Sequence, residues 1–588
     1  MNRNSILALI FLGMSGLSLA QIKEEKLILE RKREPEVKRI EKKKTSVEAE
    51  KNYPPEAKTQ ETVDYTIVDV PVVSDFQPST IQGEDVAPNF TAQYPRNYFR
   101  LGYGNYQQFL ADANVSGLIQ NQVEVGADVH YLSNEGLKKE YPWNSAQKEA
   151  RISGFLNHYG SIGKANITAN IDLHDYQWYG AEALRPEAET DLNQTYTQLQ
   201  LNGNYDFYSK EILNNIQLKT SFLKDKFDAN ENKVDFKLNL SKYQIPIGQE
   251  VALNLDLGLP VGVSKTSFKA LEAHQASYFK AGLLPKLTFR KGDSYLMLGS
   301  EFSVLTSAQS AQGAEEEKNS HWYWFPKAEA LLGVSSELQF YAGIDGGLNL
   351  NSYAEYLSEN PYLAPDLTIK PTETKYQFYI GLKGHWNEQI SYDVKAKYAK
   401  INAMPFYKTN GLFNKEITTN RAAYDWANTY SVDYHNGTKS EIEANVHYTP
   451  LADLVLEGGL SFQKYQLEND EPVYNRPLLQ MNVGAKYTML NQKLFLGAKA
   501  FFVSDRTTNA LTITPSPYFV NPPRYDVVEE KEQKVGGYAD INLSAEYKIN
   551  KNFSIFALAN NLAGAKYMVY RPYKTLGTQI IGGLKVSF

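Results

Sequence analysis

The sequence predicts an all-β protein, a large closed antiparallel transmembrane β-barrel of about 22 strands behind a mostly disordered N-terminal periplasmic segment. Three observations carry this expectation. An alternation of apolar and polar side chains with period two recurs from Asn97 to the C-terminus. The N-terminus has the form of an export signal. The chain of 588 residues holds 41 tyrosines and no cysteine.

The chain opens MNRNSILALIFLGMSGLSLAQ. Arg3 supplies a positive start, residues 6–12 an apolar core, and Ser18-Leu19-Ala20 the small residues a signal peptidase needs. That run is too short to span a membrane as a helix. Residues 1–20 are therefore expected to be a signal peptide, and with no cysteine after Ala20 no lipoprotein anchor is expected. The lack of cysteine excludes disulfides, thiol catalysis, zinc–thiolate sites and iron–sulfur clusters. Eight histidines are scattered without metal-ligand spacing, so no enzyme, metal or cofactor is expected. A net charge of -6 argues against nucleic acid as a partner. Mean hydropathy is -0.45, as for a soluble protein, but a barrel strand shows lipid only every second residue and reads the same way.

Residues 21–96 differ in character from the rest of the chain. KEEKLILERKREPEVKRIEKKKTSVEAEK (23–51) mixes both charges with few apolar residues and has little to bury. ETVDYTIVDVPVV (61–73) alternates and is β-branched, so Glu61, Val63, Tyr65, Ile67, Val68 and Val70 form a candidate partner-docking strand.

From residue 97 the candidate strands run in order. The first group is 98–105, 109–118, 122–132, 151–162, 165–178, 194–207, 213–225 and 231–242. The second is 249–262, 266–279, 283–292, 294–305, 321–333, 336–350, 374–386 and 389–402. The third is 425–435, 437–448, 452–466, 477–489, 491–503, 535–548, 551–563 and 576–588. These exceed the expected number by about two, and the conflict between a long insertion and the HNGTK turn near 403–437 marks one as wrong or split. About sixteen or eighteen longer strands is the alternative. In the last strand Ile580, Leu584, Val586 and Phe588 share the apolar face and form a terminal assembly strand, with Ile581 an apolar exception on the wet face. Lys499, Asp540, Asn542, Glu546 and Lys585 fall on wet faces and are candidate lumen-facing residues. Tight turns at 547–553 and 487–495 read as periplasmic and the 504–534 loop as extracellular. Much of the tyrosine is expected in the girdles where the wall meets lipid headgroups.

NLAGAKYMVYRPYKTLGTQIIGGLKVSF (561–588) resembles the closing segment of TonB-dependent receptors, through Asn561, Leu562, Gly564, Tyr567 and the terminal Phe588. NYFRLGYGNY (97–106) and SYAEYLSENPYLAP (352–365) resemble segments of such barrels from Bacteroidetes. The resemblance spans 97–588 and implies a large outer-membrane barrel of a Gram-negative bacterium. Those receptors carry a plug domain longer than 21–96, and that stretch lacks the glycine-punctuated α/β pattern of a plug. A plugless barrel is thus expected, with TonB engagement doubtful. A wide barrel needs closing, by the 306–320, 403–424 and 504–534 loops, by the N-terminal segment or by a partner. The expected role is a non-enzymatic subunit of an outer-membrane assembly or transport complex. Its expected partners are membrane lipid, lipopolysaccharide and periplasmic or outer-membrane proteins. A passive or loop-gated channel and a partner-dependent transporter of TonB-receptor type are the alternatives.

Overall fold

The computed structural model describes residues 97–588 apart from 120, 121, 209–211, 312, 314 and 519. The 1–20 signal peptide, the 21–96 segment and the candidate docking strand lie outside the described residues. Strands are numbered β1 to β24 along the chain, and 22 of them form one closed antiparallel sheet. The other two, β20 (Arg506–Pro515) and β21 (Tyr525–Val535), pair as a separate hairpin. Around the barrel each strand pairs with its neighbours in sequence. The ladder passes directly from β19 (Leu494–Val503) to β22 (Tyr538–Lys548), leaving the hairpin outside the wall.

Closure is made by β1 (Tyr98–Gly104) against β24 (Gln579–Ser587), in register from Tyr98↔Ser587 to Gly104↔Ile581. In hydrocarbon every backbone donor and acceptor must be paired, so a spanning sheet has to seal on itself. The seam is drawn tight by two glycines, Gly102 and Gly583, which face each other across it. The Phe556 ring, from the adjacent strand β23 (Phe553–Asn560), lies inside against both. A Cβ at Gly583 would sit 2.1 Å from the Leu101 carbonyl oxygen and 2.6 Å from that ring. Leu110, Leu132, Leu558 and Ile581 pack with Phe556, which explains Ile581 on the wet face. The last residue completes the seam, since Phe588 N–H donates to the Asn97 carbonyl at 2.9 Å and its ring stacks on Phe99.

The alternation sorts the two faces. Phe99, Leu101, Ile541, Leu543, Ile580 and Leu584 are exposed outward, whereas Arg100, Asp540 and Lys585 on the same strands are buried inward. Apolar side chains exposed on a closed barrel form the belt that faces lipid. The protein is accordingly an outer-membrane barrel. No helix among the described residues is long and apolar enough to cross a membrane, so the strands do the crossing. Long connections gather at one end, the extracellular one, and both ends of the barrel chain meet at the other.

Two pairs of candidate strands are each a single strand. The 266–279 candidate straddles the turn after β9 (Val251–Phe268), and with 283–292 it merges into β10 (His274–Lys291). The register against β11 (Ser294–Ala311) is unbroken across 280–282, the gap left between the two candidates. The 425–435 and 437–448 candidates merge into β16 (Tyr430–Leu451), which runs through Asn436-Gly437 without turning. Its partner β15 (Ile390–Thr409) takes up the irregularity as a bulge between Ile401 and Met404, where Asn436 Oδ1 accepts the Ala403 N–H at 2.9 Å. A bulge absorbs an extra residue without ending a strand, and this removes the parity conflict near 403–437.

The seam geometry makes a definite prediction. Gly583→Leu should lower the folded, heat-modifiable band in outer membranes several-fold, because the new side chain collides with backbone at the closing pair. Gly458→Ala, where nothing lies within 4 Å of the added carbon, should leave that band unchanged.

Candidate functional site: an aromatic cap on a polar lumen

The inner wall is polar and largely cross-paired. Arg100 donates to Asp112, which also receives His130 Nδ1 at 2.6 Å. Lys280 meets Glu301 at 2.9 Å, Lys397 meets Glu443 at 2.6 Å, and Lys585 meets Glu546 at 3.1 Å. Such a wall suits water and polar solutes. It holds no catalytic constellation, and no group of residues that could ligate a metal occurs among the described residues.

The extracellular mouth is of the opposite character. One buried cluster joins side chains from six connections, five of which supply nearly all of its loop residues. The 135–146 loop gives Leu137, Tyr141 and Trp143, and the 178–192 loop gives Trp178, Tyr179 and Leu192. The 350–371 loop contributes Tyr353, Ala354, Tyr356, Leu357, Tyr362, Leu363, Leu367 and Ile369. Ala423, Tyr424 and Trp426 come from the 410–429 loop, and Val569, Tyr570 and Tyr573 from the 561–578 loop. Tyr362 and Tyr573 stack with ring centroids 3.3 Å apart.

Tyrosine serves this cap because its ring is apolar and its tip is a donor. The hydroxyls reach backbone carbonyls on other connections, which would otherwise be buried unsatisfied. Tyr179 donates to Lys574 O at 2.9 Å, Tyr424 to Ala270 O at 2.8 Å, Tyr278 to Ile369 O at 2.9 Å and Tyr570 to Glu359 O at 3.2 Å. Tyr573 donates to Asn428 O and Tyr430 to Arg571 O. Asn428 Nδ2 donates to the carbonyls of Trp178 and Ala423. The loops are thereby laced to one another as well as packed. Among the described residues buried tyrosines outnumber exposed ones, so the cap and inner wall take many of them.

One helix, α1 (Tyr353–Glu359), lies inside the 350–371 loop. Its start follows from Ser352, whose side chain accepts the Glu355 N–H at 3.1 Å as an N-cap. The Ser-x-x-Glu spacing in SYAE was a legible helix signal. Both ends of α1 are tied to the wall or to neighbouring loops. At its start Glu231 accepts the N–H groups of Tyr353 and Ala354, and Tyr353 OH donates to Asp225 at 3.1 Å. At its end Glu359 accepts Tyr407 OH and meets Arg476 at 3.3 Å. Burial brings the Arg476 guanidinium down to about 9.

Of the candidate closing loops, 403–424 supplies cap residues and continues to Trp426. The 306–320 segment instead extends an exposed hairpin. In 504–534 the stretch Arg506–Asn509 is buried, while the rest forms the projecting β20–β21 hairpin. The 135–146, 178–192, 350–371 and 561–578 contributions were not singled out as closing loops. Their aromatic density was the available signal.

The candidate lumen residues are placed as follows. Asp540 accepts Tyr567 OH at 3.1 Å and Asn542 accepts the Asn561 N–H at 2.9 Å, so both anchor the 561–578 loop. Asn561 also closes that loop on itself, donating to Ala565 O and Leu576 O. Tyr567 stacks on Tyr538. These contacts give the Asn561…Tyr567 element a physical task. Glu546 pairs with Lys585, and Lys499 lies opposite Asn542 in the ladder.

No protein-family model and no curated protein sequence matches the chain. Solved structures share its fold. The ferric-catecholate import receptor Fiu of E. coli K12 is 11% identical with a TM-score of 0.60, over 84% of this chain and 82% of that one. The siderophore receptor PiuA of Acinetobacter baumannii is 10% identical at 0.59, over 84% and 82%. The pyoverdine outer-membrane receptor FpvA of Pseudomonas aeruginosa PAO1 is 13% identical at 0.59, over 84% and 79%. The chain thus shares the barrel fold of these outer-membrane receptors. This corrects one expectation. TonB engagement was taken as doubtful, but likeness across the whole barrel to import receptors of the TonB-dependent type supports it.

The cap's packing can be tested at one ring. Tyr573→Ala removes a stacked, fully buried side chain and should cost the cap about 3–5 kcal/mol. Tyr573→Phe loses one hydrogen bond, about 1 kcal/mol. Entry of a bulky hydrophilic dye into proteoliposomes should rise clearly for the first and little for the second.

Proposed function

We propose that the protein is a partner-dependent outer-membrane transporter of TonB-receptor type. A polar solute or ligand would meet it at the extracellular cap and pass through the lumen when the cap yields. The observation that carries this reading is the interlocked cap, because a passive pore has no use for a mouth sealed by a continuous buried cluster. The likeness to import receptors favours it over a generic subunit of an assembly complex. Other envelope proteins and lipopolysaccharide remain plausible neighbours of the barrel.

Within this reading residues 1–20 act as the signal peptide and 21–96 as a periplasmic segment in place of a plug. The strand of Glu61, Val63, Tyr65, Ile67, Val68 and Val70 would be the docking element for the energy-coupling partner, adding by backbone pairing to an exposed sheet edge. The resemblance to Bacteroidetes barrels fits a plugless architecture, since the 21–96 composition offers little to bury.

Proline at a central position tests this, since it removes a donor from any added strand. Full-length protein with Ile67→Pro should reach the outer membrane at normal levels and lose co-purification of the periplasmic TonB domain. Undiminished capture would remove 61–70 as the docking strand, and no capture by the unaltered chain would remove the partner-dependent reading itself.

A further inference from the structure

We propose that helix α1 is a releasable keystone of the cap, clamped by Glu231 at its start and Glu359 at its end, and that unclamping it opens the lumen. The inference rests on the transporter reading and adds how its barrier is regulated.

The geometry singles out this element. The 350–371 loop gives the cluster eight buried side chains, more than any other connection. Its helix has only seven residues, too short to be stable by itself, so it persists through what it is tied to. Beside the packing of Tyr353, Tyr356 and Leu357 in the cluster, its charged ties stand at its two ends. On one side stand β7 (Leu213–Asp225) and β8 (Asn230–Ile247). They supply the Glu231 carboxylate to two backbone N–H groups, Asp225 to Tyr353 OH, and Lys233 to Glu355 at 2.7 Å. On the other side Glu359 joins Tyr407 of β15 to Arg476 of the 468–478 loop, and Arg476 also donates to Pro405 O at 2.6 Å. The structure shows the docked arrangement; loss of the ties at both ends would give the released one that a switch requires.

The wall-side clamp lies beyond the lipid belt, because outward neighbours of Glu231 are Asn230 and Asn232, with the apolar face of β8 starting at Val234 and Phe236. Burial lifts the Glu231 carboxyl to about 7 and outweighs the two N–H donors and Lys233, which favour its charged form, while Glu355 adds to the rise. Asp225 is raised as well, again by burial, against hydrogen bonds from Ala229, Gln194, Phe227 and Tyr353. The buried hydroxyls of Tyr176 and Tyr196 stand near the same group. The docked helix therefore holds a proton that the released one gives up. Docking is firmest below the ordinary glutamate range and weakens as pH rises through about 7.

The chain has no cysteine, so a single thiol reports cleanly. Ala364→Cys, almost fully buried in the same loop, would be labelled with a membrane-impermeant maleimide on full-length protein in outer-membrane vesicles. After correction for thiol reactivity with a denatured sample, labelling should accelerate from about pH 5 to about pH 8, by at most about tenfold per pH unit. Glu231→Gln mimics the protonated carboxyl and should flatten that profile near its acid value. Glu359→Gln should accelerate labelling at every pH while keeping the pH dependence. Glu231→Ala should accelerate labelling at every pH and raise dye entry into proteoliposomes in parallel. A flat profile in the otherwise unaltered chain, or a Glu231→Ala rate no faster than its parent, overturns the proposal. If Glu231→Ala fails to assemble, the Gln variants decide. Labelling needs neither TonB nor substrate, so loss of partner capture would count against the transporter reading while leaving the keystone to stand or fall by itself.

Discussion

Backbone pairing in a medium without water is the constraint on which the whole molecule depends. A strand in lipid cannot leave an edge open, since each unmatched N–H or C=O costs several kcal/mol. Closing the sheet forces β1 onto β24, and closing it tightly enough for the Phe556 ring to lie inside forces glycine at positions 102 and 583. Phe588 adds a further rung to that closed ladder through its N–H to the Asn97 carbonyl.

The same constraint returns at the extracellular mouth in another form. Loops folded over a wide barrel bury backbone carbonyls that no strand can satisfy. Tyrosine meets both needs, covering the loops with ring area while its hydroxyl reaches a carbonyl on the neighbouring loop. The lumen below is wetted and cross-paired, so apolar packing is concentrated at the mouth. A barrier built this way is strong in its interior and weak at its polar attachments, which is where Glu231 and Glu359 sit.

Function follows from this division. In the proposed reading the wall supplies a passage, and the cap supplies a reason for the passage to need a partner. Likeness to outer-membrane receptors at 10–13% identity speaks for the fold, and the proposed barrier rests on the cap chemistry of this chain. The Asn561…Tyr567 element joins the two, because it pins the last loop of the cap to the wall at Asp540 and Asn542.

The sequence by itself determined the barrel, because a period of two is set by the pleat and survives any detail of packing. It also determined which face of β22 and β24 meets lipid, from Ile541 and Leu584 against Asp540 and Lys585. The expected count of about 22 is the number found, and the two surplus candidates arose where one strand was divided, at 280–282 and at Asn436-Gly437. A neighbouring strand carries the pairing through both places, by unbroken register in one case and by a bulge at Ala403 in the other. The cap was not legible. Its five main loops lie far apart in the chain and carry no periodicity, so the meeting of Trp178, Tyr353, Trp426 and Tyr573 is decided only when the closed wall brings their anchoring strands to one rim. Tyrosine content announced that many rings needed a polar contact at one end, and only tertiary structure decided that those of the cap find it in carbonyls of neighbouring loops.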